Sequence, residues 1–344
     1  MKSKLQVPIL VFTLMVACKP DYQPRVASVS FPETPVNMGD INSAFDDYNS
    51  TASFIGYTSP FCFSSNRNSS GRNFDIIYKL LDVYASVIDG KLTVQESPVN
   101  NLADVDIENH NLNYAMSMIN SSADELGPYL INQGIRKTND STNWDGAYQS
   151  YILLYANNES GNLDIKYVQN LDQEKPYSTP KPVSFLNSSK DDAYPSLMPY
   201  NTSVYFCSNR DGNFDIYKAD LDTSKDLLSN FSDSTSKVIT KDMVLSSSGD
   251  DKCPYICNNV MVFTSNRPGG YGGFDLYYSL YTNGKWSAPV NFGPAINSAY
   301  DEYRPIIQPM FGFTNDFMIF SSNRPGGKGG FDLYYVGVKS MIIF

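Results

Sequence analysis

The chain has 344 residues, of which 42% are apolar and 14% aromatic, so it is long enough to bury a substantial core in a single domain. Its formal net charge of −10 argues against a nucleic-acid partner, because the phosphate backbone requires a basic surface. The single histidine, His110, excludes most metal sites that use two histidines and weakens any Ser-His-Asp arrangement.

The N-terminal segment predicts export and a lipid anchor. Lys2 and Lys4 precede the apolar run VPILVFTLMVA, which is too short to cross a bilayer but typical of a signal-peptide core. The run ends in MVAC, which resembles a lipoprotein cleavage box with Cys18 as the lipidated residue. We therefore predict a signal peptide at residues 1–17, a lipidated Cys18 with a polar tether to residue 28, and attachment to the outer membrane on its periplasmic or cell-surface face. The alternative is an ordinary signal peptide in which Cys18 has no role.

The remainder, residues 29–344, contains a repeated hairpin sequence. FTSNRPGGYGGFDLYY at 263–278 recurs as FSSNRPGGKGGFDLYY at 320–335. More divergent copies are FSSNRNSSGRNFDIIY at 63–78, YANNESGNLDIKY at 155–167 and FCSNRDGNFDIYK at 206–218. The copy at 155–167 departs most, because Glu159 stands where the other four have an arginine.

An acidic pair precedes each copy of the hairpin. The five pairs are Asp46-Asp47, Asp124-Glu125, Asp191-Asp192, Asp250-Asp251 and Asp301-Glu302. Five copies at a spacing of roughly 50 to 80 residues predict a repeat architecture, with a period in or above the range of propeller blades.

The glycine-rich part of the last hairpin, PGGKGG, could be taken for a phosphate-binding loop. In such a loop the lysine is followed by Ser or Thr and the chain enters a helix, whereas Lys328 is followed by Gly329 and then by a strand-like sequence, FDLYYVGV. Tyr271 also replaces the lysine in the preceding copy. The glycines therefore indicate a hairpin turn.

Each repeat is consistent with four strands. In the last repeat these are PIIQP, DFMIFSSN and GFDLYYVGV, with a fourth that resembles KWSAPVNFG of the repeat before. DFMIFSSN is apolar on both faces, which indicates a sheet covered on both sides, as in radially stacked blades. The segment after the tether, VSFPETPVNMG, resembles a fourth strand, so residues from about 29 to 38 would complete the last blade and close the ring. We predict an all-β fold, a single propeller of five four-stranded blades; the alternative is six blades, if residues 80–147 contain another.

The SNR…G…FDLYY hairpin and the preceding DExxP sequence resemble the TolB-type, WD-repeat-like β-propeller repeat. Copies with GGxGGFDLYY are similar to those of envelope lipoproteins of Bacteroidota-like bacteria. The resemblance covers nearly all of the mature chain and implies the propeller fold. It does not specify an activity, because such propellers carry many functions.

Two sets of carboxylates recur. We expect an aspartate at the hairpin turn to be structural, accepting bonds from backbone N–H groups, with the arginine of the same hairpin as a further candidate partner: Asp75, Asp164, Asp215, Asp275 and Asp332. The resemblance implies that the first strand of each blade is innermost. The second acid of each pair could then ring one mouth of the channel and hold a ligand or a cation such as calcium, or alternatively cap loops and face water: Asp47, Glu125, Asp192, Asp251 and Glu302. We predict no other cofactor or metal.

Four cysteines remain after Cys18: Cys62, Cys207, Cys253 and Cys257. Cys253 and Cys257 would lie roughly 13 Å apart on an extended segment, too far to form a disulfide without a bend. We expect buried free thiols, with an inter-blade disulfide as the alternative in an oxidising compartment.

The segments that do not repeat are the candidates for function, because insertions in repeat arrays often form the binding face. They are residues 103–120, 133–147 and 222–248. Arg136, Trp144 and Tyr148 could anchor a partner, or belong to a solvated polar loop.

We expect a module without enzymatic activity that binds or scaffolds an unidentified cell-envelope protein and touches the membrane only through its lipid. The alternatives are a polysaccharide-binding propeller and a carboxylate-dependent glycan-cleaving enzyme.

Overall fold

A computed structural model describes residues 29–86, 89–98, 106–137, 147–170 and 178–343. The predicted signal peptide, Cys18 and Trp144 lie outside these residues. Within them the chain forms five antiparallel sheets of four strands, one of which has an additional short strand, and each sheet contains one copy of the repeated hairpin. The first strands of the five sheets contact one another in a closed cycle, so the sheets are the blades of a five-bladed β-propeller, as predicted.

The strands follow the repeat order. A closing strand, β1, spans Val36–Asn37. Blade 1 contains β2 (Asp47–Ala52), β3 (Ser59–Ser65), β4 (Asp75–Ala85) and β5 (Leu92–Glu96). Blade 2 contains β6 (Glu125–Lys137), β7 (Ala147–Asn157), β8 (Asp164–Gln169) and β9 (Lys181–Pro182). Blade 3 contains β10 (Asp192–Leu197), β11 (Ser203–Ser208), β12 (Asp215–Asp220) and β13 (Ile239–Lys241). Blade 4 contains β14 (Asp251–Cys257), β15 (Val260–Ser265), β16 (Asp275–Thr282), β17 (Lys285–Trp286) and a short β18 (Val290–Asn291) that also pairs with β16. Blade 5 contains β19 (Glu302–Gln308), β20 (Asp316–Ser322) and β21 (Asp332–Val338).

The N-terminal strand closes the ring. β1 pairs antiparallel with the last strand, β21, with Val36 opposite Tyr335 and Asn37 opposite Tyr334. Blade 5 therefore receives its fourth strand from the other end of the chain, as predicted. Pairing the two ends in one sheet leaves no gap between the last blade and the first.

Residues 80–147 contribute no sixth blade in their described parts. They hold the end of β4, β5, a helix α1 (Asp106–Ile119), all of β6 and the first residue of β7. Four apolar side chains of α1, Leu112, Ala115, Met116 and Ile119, are buried against blades 1 and 2. A second helix, α2 (Leu227–Phe231), lies between β12 and β13. No helix in the described ranges has both the length and the apolar character needed to cross a bilayer.

The second strand of each blade lies in the core. Every residue of β20 is buried, including Phe317 and Met318, whose side chains lie on opposite faces of the sheet. Apolar residues on both faces are required because each sheet packs between two neighbouring blades. This arrangement explains why the pattern in these strands is not the alternation expected for a sheet with one wet face.

All four cysteines within the described residues are free. Cys62, Cys207 and Cys253 are buried and Cys257 is partly buried. Burial raises the pKa of the thiols of Cys62, Cys253 and Cys257 to about 12. The prediction of buried free thiols is confirmed for the first three.

The glycine-rich hairpin is a turn that packs tightly on the next blade. A Cβ at Gly272 would lie 2.1 Å from the Tyr300 carbonyl oxygen, and one at Gly329 would lie 2.0 Å from that of Phe45. Only glycine allows this approach. Lys328 donates from Nζ to the Gly39 carbonyl oxygen at 2.6 Å, so its ammonium group caps a loop.

Candidate functional site

The second acid of each pair is the centre of a hydrogen-bonded cluster inside its own blade. Asp47 is fully buried and accepts bonds from the Ser43 hydroxyl at 2.9 Å, the Ser65 hydroxyl at 2.5 Å and Arg67 Nη2 at 2.6 Å. The equivalent ion pairs in blades 3, 4 and 5 are Arg210–Asp192 at 2.6 Å, Arg267–Asp251 at 2.5 Å and Arg324–Glu302 at 2.9 Å. The arginine of the SNR sequence therefore pairs with the buried carboxylate in blades 1, 3, 4 and 5, and the serine bonds the carboxylate directly in blades 1 and 5.

In blade 2 the buried carboxylate is hydrogen-bonded without an arginine. Glu125 is fully buried and accepts bonds from the Ser121 hydroxyl at 2.6 Å and from Asn157 Nδ2 at 2.6 Å. Glu159, which replaces the arginine, instead pairs with Lys166 at 3.0 Å near the surface. Burial raises the pKa of Glu125, and these hydrogen bonds oppose that shift.

These five side chains do not ring the channel mouth, so that placement was wrong. Each is fully buried and bonded to groups of its own repeat. The described residues hold no group of three or more His, Cys, Asp or Glu side chains placed to bind a metal ion. The physical reason is strand alternation: consecutive residues point in opposite directions, and the second acid points into the blade.

The first acid of each pair instead joins neighbouring blades. Asp46 Oδ1 accepts a bond from the Phe331 N–H at 2.8 Å, and Asp301 Oδ1 accepts one from the Phe274 N–H at 2.9 Å. Blades 2, 3 and 4 repeat the contact: Phe74 N–H to Asp124 at 3.0 Å, Leu163 N–H to Asp191 at 2.9 Å and Phe214 N–H to Asp250 at 2.9 Å. The asparagine of the SNR sequence supports each of these carboxylates or its backbone, as Asn323 does for Asp301.

Three of the first acids line a cavity of about 520 Å³ on the axis of the ring. All five blades contribute to its lining, so it is the mouth of the central channel. Its lining residues are Asp46, Tyr48, Phe74, Leu163, Asp191, Tyr194, Phe214, Lys252, Phe274, Asp301, Tyr303 and Phe331. We call this cavity the mouth. It is lined mainly by aromatic rings, with three carboxylates and one lysine.

The rings of the mouth pack against one another. Tyr48 contacts Phe74 with ring centroids 4.8 Å apart, and Tyr303 contacts Phe274 at the same distance. Lys252 lies with Nζ 4.3 Å from the centroid of Phe214. Burial raises the pKa of Tyr48 and of Tyr303 above the usual range, so both phenols are neutral and keep their hydroxyl donors.

Beneath the mouth, the residue two positions after the second acid lies at a bulge in the first strand of every blade. All five have positive φ: Asn49 60°, Gly127 59°, Tyr194 57°, Cys253 55° and Arg304 46°. Such backbone is unfavourable for residues other than glycine and concentrates at functional sites. We call these five positions the bulge ring. The backbone repeats five times, but the five side chains are all different.

Two bulge-ring positions depend on each other. A Cβ at Gly127 would lie 2.3 Å from Cδ1 of Tyr194, so the Tyr194 ring occupies the space that a side chain at position 127 would need. The Tyr194 hydroxyl accepts a bond of 3.4 Å from Asn49 Nδ2. Blade 2 therefore uses glycine at this position to make room for the tyrosine of blade 3.

The other predicted residues are placed as follows. Asp275 accepts backbone bonds from Tyr271 at 2.7 Å and Gly272 at 3.1 Å, and Asp332 accepts one from Gly329 at 3.0 Å. The remaining turn aspartates accept side-chain bonds instead: Asp75 from Asn68, Asp164 from Ser160 and Asp215 from Lys241. The expected backbone bonds are thus present at Asp275 and Asp332, and the hairpin arginines pair with the second acids and not with the turn aspartates.

Arg136 and Tyr148 lie opposite each other in the register of β6 and β7. Trp144 is outside the described residues, so this part of the predicted partner-binding loop stays a prediction.

Sequence reasoning missed the residues of the mouth that follow the acidic pairs, above all Tyr48, Tyr194, Lys252 and Tyr303. A signal was present, because these positions vary between repeats whose flanking residues are preserved. The bulge that turns Tyr194 and its equivalents toward the axis was not visible in the strand pattern.

No family model and no curated protein matches the chain. Among solved structures it resembles an α-L-arabinofuranosidase from Podospora anserina in complex with cellotriose, with 11% identity over 90% of this chain and 96% of that one, and a TM-score of 0.49. It also resembles a glycosyl hydrolase from Bacteroides ovatus, with 10% identity over 92% and 91% of the two chains and a TM-score of 0.42. A structure assigned as TolB from Agrobacterium tumefaciens has 12% identity over 82% and 87%, with a TM-score of 0.37.

Glycoside hydrolases recur among these neighbours. This finding contradicts two expectations, a scaffold for a cell-envelope protein and the absence of enzymatic activity; the glycan-directed alternative agrees with it better. At these identities the likeness concerns the fold. The chain is a five-bladed β-propeller that has TolB-like and glycoside-hydrolase propellers among its structural neighbours.

Proposed function

We propose that this chain is a glycan-active protein that binds a saccharide in the mouth and hydrolyses a glycosidic bond there. The observation that carries the proposal is the composition of the mouth, a cavity of about 520 Å³ on the propeller axis with seven aromatic rings and three carboxylates in its lining. A concave, largely apolar cavity with a few convergent polar groups is the usual form of a small-molecule site.

The chemistry of the lining suits a sugar. The C–H faces of a sugar ring are apolar and pack on aromatic rings, whereas its hydroxyl groups need hydrogen-bond acceptors. Asp46 and Asp301 each have one oxygen engaged by a backbone N–H and the other by an asparagine. A carboxylate has about four acceptor positions, so each keeps lone pairs for a ligand.

Carboxylates are also the groups that glycosidases use. One acts as acid and the other as base or nucleophile, at a separation of about 5 to 10 Å. Asp46, Asp191 and Asp301 are the candidates, because they line the mouth, whereas the second acids are enclosed within the blades.

The repeat supplies matched controls for the test. Asp124 and Asp250 make the same inter-blade bond as the three mouth aspartates but do not line the cavity. The assay is the release of reducing ends from a panel of xylans, arabinoxylans and aryl glycosides, with binding of the matching oligosaccharides measured by calorimetry. We expect Asp→Asn at one or two of positions 46, 191 and 301 to lower kcat by about 10² or more, because general acid–base groups contribute 10² to 10⁴. Asp124→Asn and Asp250→Asn should remain within a few-fold of the unmodified protein.

The proposal would be overturned if the unmodified protein neither bound nor hydrolysed any glycan of the panel. An equal loss in all five variants would overturn the catalytic assignment, since the inter-blade bond is all that the five share. Oligosaccharide binding without turnover would favour the polysaccharide-binding alternative.

We also propose that the protein is exported and anchored through Cys18, as in the envelope lipoproteins of Bacteroidota-like bacteria. The support is the lysine-flanked apolar run that ends in MVAC. Cys18→Ala should move the protein from the membrane fraction to the soluble extracytoplasmic fraction. Membrane attachment that survives this substitution would contradict the proposal.

A further inference from the structure

Arg304 is a buried cation without a counter-ion among the described residues. It belongs to the bulge ring, and its side chain is fully buried. Nη2 donates to the Pro128 carbonyl oxygen at 3.0 Å, so the side chain reaches from blade 5 across to blade 2. Nε and Nη1 have no hydrogen-bond partner in the described parts of the chain. The hairpin arginines, by contrast, are each bonded to a buried carboxylate.

The unpaired donors form a complete binding edge. A guanidinium group offers two edges with parallel donors, one made by Nε and Nη2 and the other by Nη1 and Nη2. Nη2 has two hydrogens, one on each edge, and the Pro128 carbonyl oxygen accepts one of them. Whichever hydrogen it accepts, both donors of the other edge remain unpaired. A free edge of this kind matches the two oxygens of a carboxylate.

The surroundings favour a monovalent anion that also carries hydroxyl groups. Arg304 supplies a single positive charge, and the mouth above it holds three carboxylates and one lysine, which disfavours a dianion. Asn49 is fully buried and its Oδ1 has no partner among the described residues, so it can accept a hydroxyl hydrogen. An acidic sugar presents a carboxylate and hydroxyl groups together.

Tyr194 separates Arg304 from the mouth. Its ring lines the mouth and lies with its centroid 5.5 Å from Cζ of Arg304. The side chain is held at its hydroxyl by the 3.4 Å bond from Asn49, which is long for a bond to a hydroxyl oxygen. Rotation of this ring would open Arg304 to a ligand already bound in the mouth, and the lost cation–π contact would be replaced by charge-assisted hydrogen bonds.

We propose that Arg304 is the base of a carboxylate-binding subsite beneath the mouth, covered by Tyr194 in the empty protein, and that its ligand is the carboxylate of an acidic saccharide such as a uronic acid. The inference rests on the proposed glycan-directed function for the identity of the ligand. It rests on the unpaired guanidinium alone for the carboxylate.

The test compares ligands that differ only in charge. Glucuronate and its neutral analogue glucuronamide are titrated calorimetrically into the full-length protein, Arg304→Met and Arg304→Lys. Arg72→Met is the matched control, because Arg72 is an exposed arginine that does not line the mouth. We expect glucuronate to bind the unmodified protein and Arg72→Met about tenfold or more tightly than glucuronamide, a difference of ~1.4 kcal/mol. Arg304→Met should bind both ligands equally, with partial recovery of the preference in Arg304→Lys.

A second measurement can be made on the unmodified protein alone. Acetate should raise the Tm of the unmodified protein more than acetamide does. Arg304→Met, if it folds, should have a raised Tm without ligand, because it removes a buried charge that lacks a counter-ion.

The outcomes separate this inference from the proposed function. The inference is overturned if the unmodified protein does not distinguish glucuronate from glucuronamide, or if Arg304→Met keeps the preference. Binding of neutral oligosaccharides with no preference for acidic ones would remove the subsite and leave the proposed function standing. Stabilisation by acetate over acetamide with no saccharide bound would support the carboxylate subsite and count against the glycan-directed function.

Discussion

Glu302 and Glu125 allow the contribution of a hairpin arginine to be measured on the same scaffold. Both are fully buried at equivalent positions, and both accept bonds from the backbone N–H and the hydroxyl of a serine four residues earlier. Each also accepts a neutral bond from the last residue of the second strand, Glu302 from the Ser322 hydroxyl at 3.1 Å and Glu125 from Asn157 Nδ2 at 2.6 Å. They differ in the turn that follows, where only blade 5 has an arginine, Arg324, which donates from Nη2 to Glu302 at 2.9 Å.

Substitution by glutamine tests this difference. In either variant one carboxylate oxygen becomes an NH₂ group, which leaves a buried donor unpaired at a cost of about 1 to 3 kcal/mol. Glu302→Gln also leaves Arg324, whose side chain is 17% exposed, without its counter-ion. Breaking a buried ion pair costs about 3 to 5 kcal/mol in all, so we expect ~4 kcal/mol for Glu302→Gln and ~2 kcal/mol for Glu125→Gln.

The free energy of unfolding is measured by urea denaturation, followed by far-ultraviolet circular dichroism, with the m-value checked for constancy. With an unfolding entropy of about 2.1 cal/mol/K per residue, the difference of ~2 kcal/mol corresponds to ~3 °C in Tm for a domain of this size. Glu159→Gln is the control, because Glu159 is 69% exposed and should cost less than about 0.5 kcal/mol. Equal destabilisation by Glu302→Gln and Glu125→Gln would refute the role assigned to the arginine.

Three further predictions follow from burial. Burial raises the pKa of Glu125, so the folded state binds a proton at this carboxylate more readily than the unfolded state does. The free energy of unfolding of the unmodified protein, relative to that of Glu125→Gln, should therefore rise as the pH falls through that raised pKa. A difference between the two free energies that stays constant from pH 7 to pH 4.5 would contradict this. The pKa of about 12 at Cys62 and Cys253 predicts no alkylation by iodoacetamide at pH 8 until the protein unfolds, as checked by peptide mass spectrometry. Gly127→Ala should destabilise the fold by about 2 kcal/mol or more, because of the positive φ and the clash with Tyr194. The double variant with Tyr194→Ala should lose less free energy of unfolding than the sum of the losses in the two single variants. Strict additivity of the two losses would count against the contact.

The sequence by itself determined the architecture of this protein. Copies of one hairpin, each preceded by an acidic pair, specified repeated blades, and a fourth-strand segment near the start specified how the ring closes. These inferences succeed because a blade is a local unit, with strands joined by short turns whose residues are visible in the sequence. The same reasoning excluded a phosphate site at Lys328, which the structure places against backbone carbonyl oxygens.

The direction of the acidic side chains was decided by the tertiary structure. In each pair, sequence reasoning chose the second acid for the channel, whereas it is the first acids Asp46, Asp191 and Asp301 that line the mouth. Adjacent residues of a strand point to opposite sides, so the choice depends on register and cannot be made from composition. Partners of the second acids come from the end of the second strand and from the turn that follows it, as Ser65 and Arg67 do for Asp47, and sequence reasoning did not identify these pairings.

The centre of the channel was also decided by the tertiary structure. Tyr194 and Arg304 are 110 residues apart in a repeat that assigns them no common role, yet a bulge in each first strand turns both toward the axis, where they meet. A bulge adds a residue to one strand and redirects the side chains beside it, and no simple strand pattern records it. The sequence repeats specify the scaffold of the propeller, and the closure of the ring brings together the residues that differ between repeats.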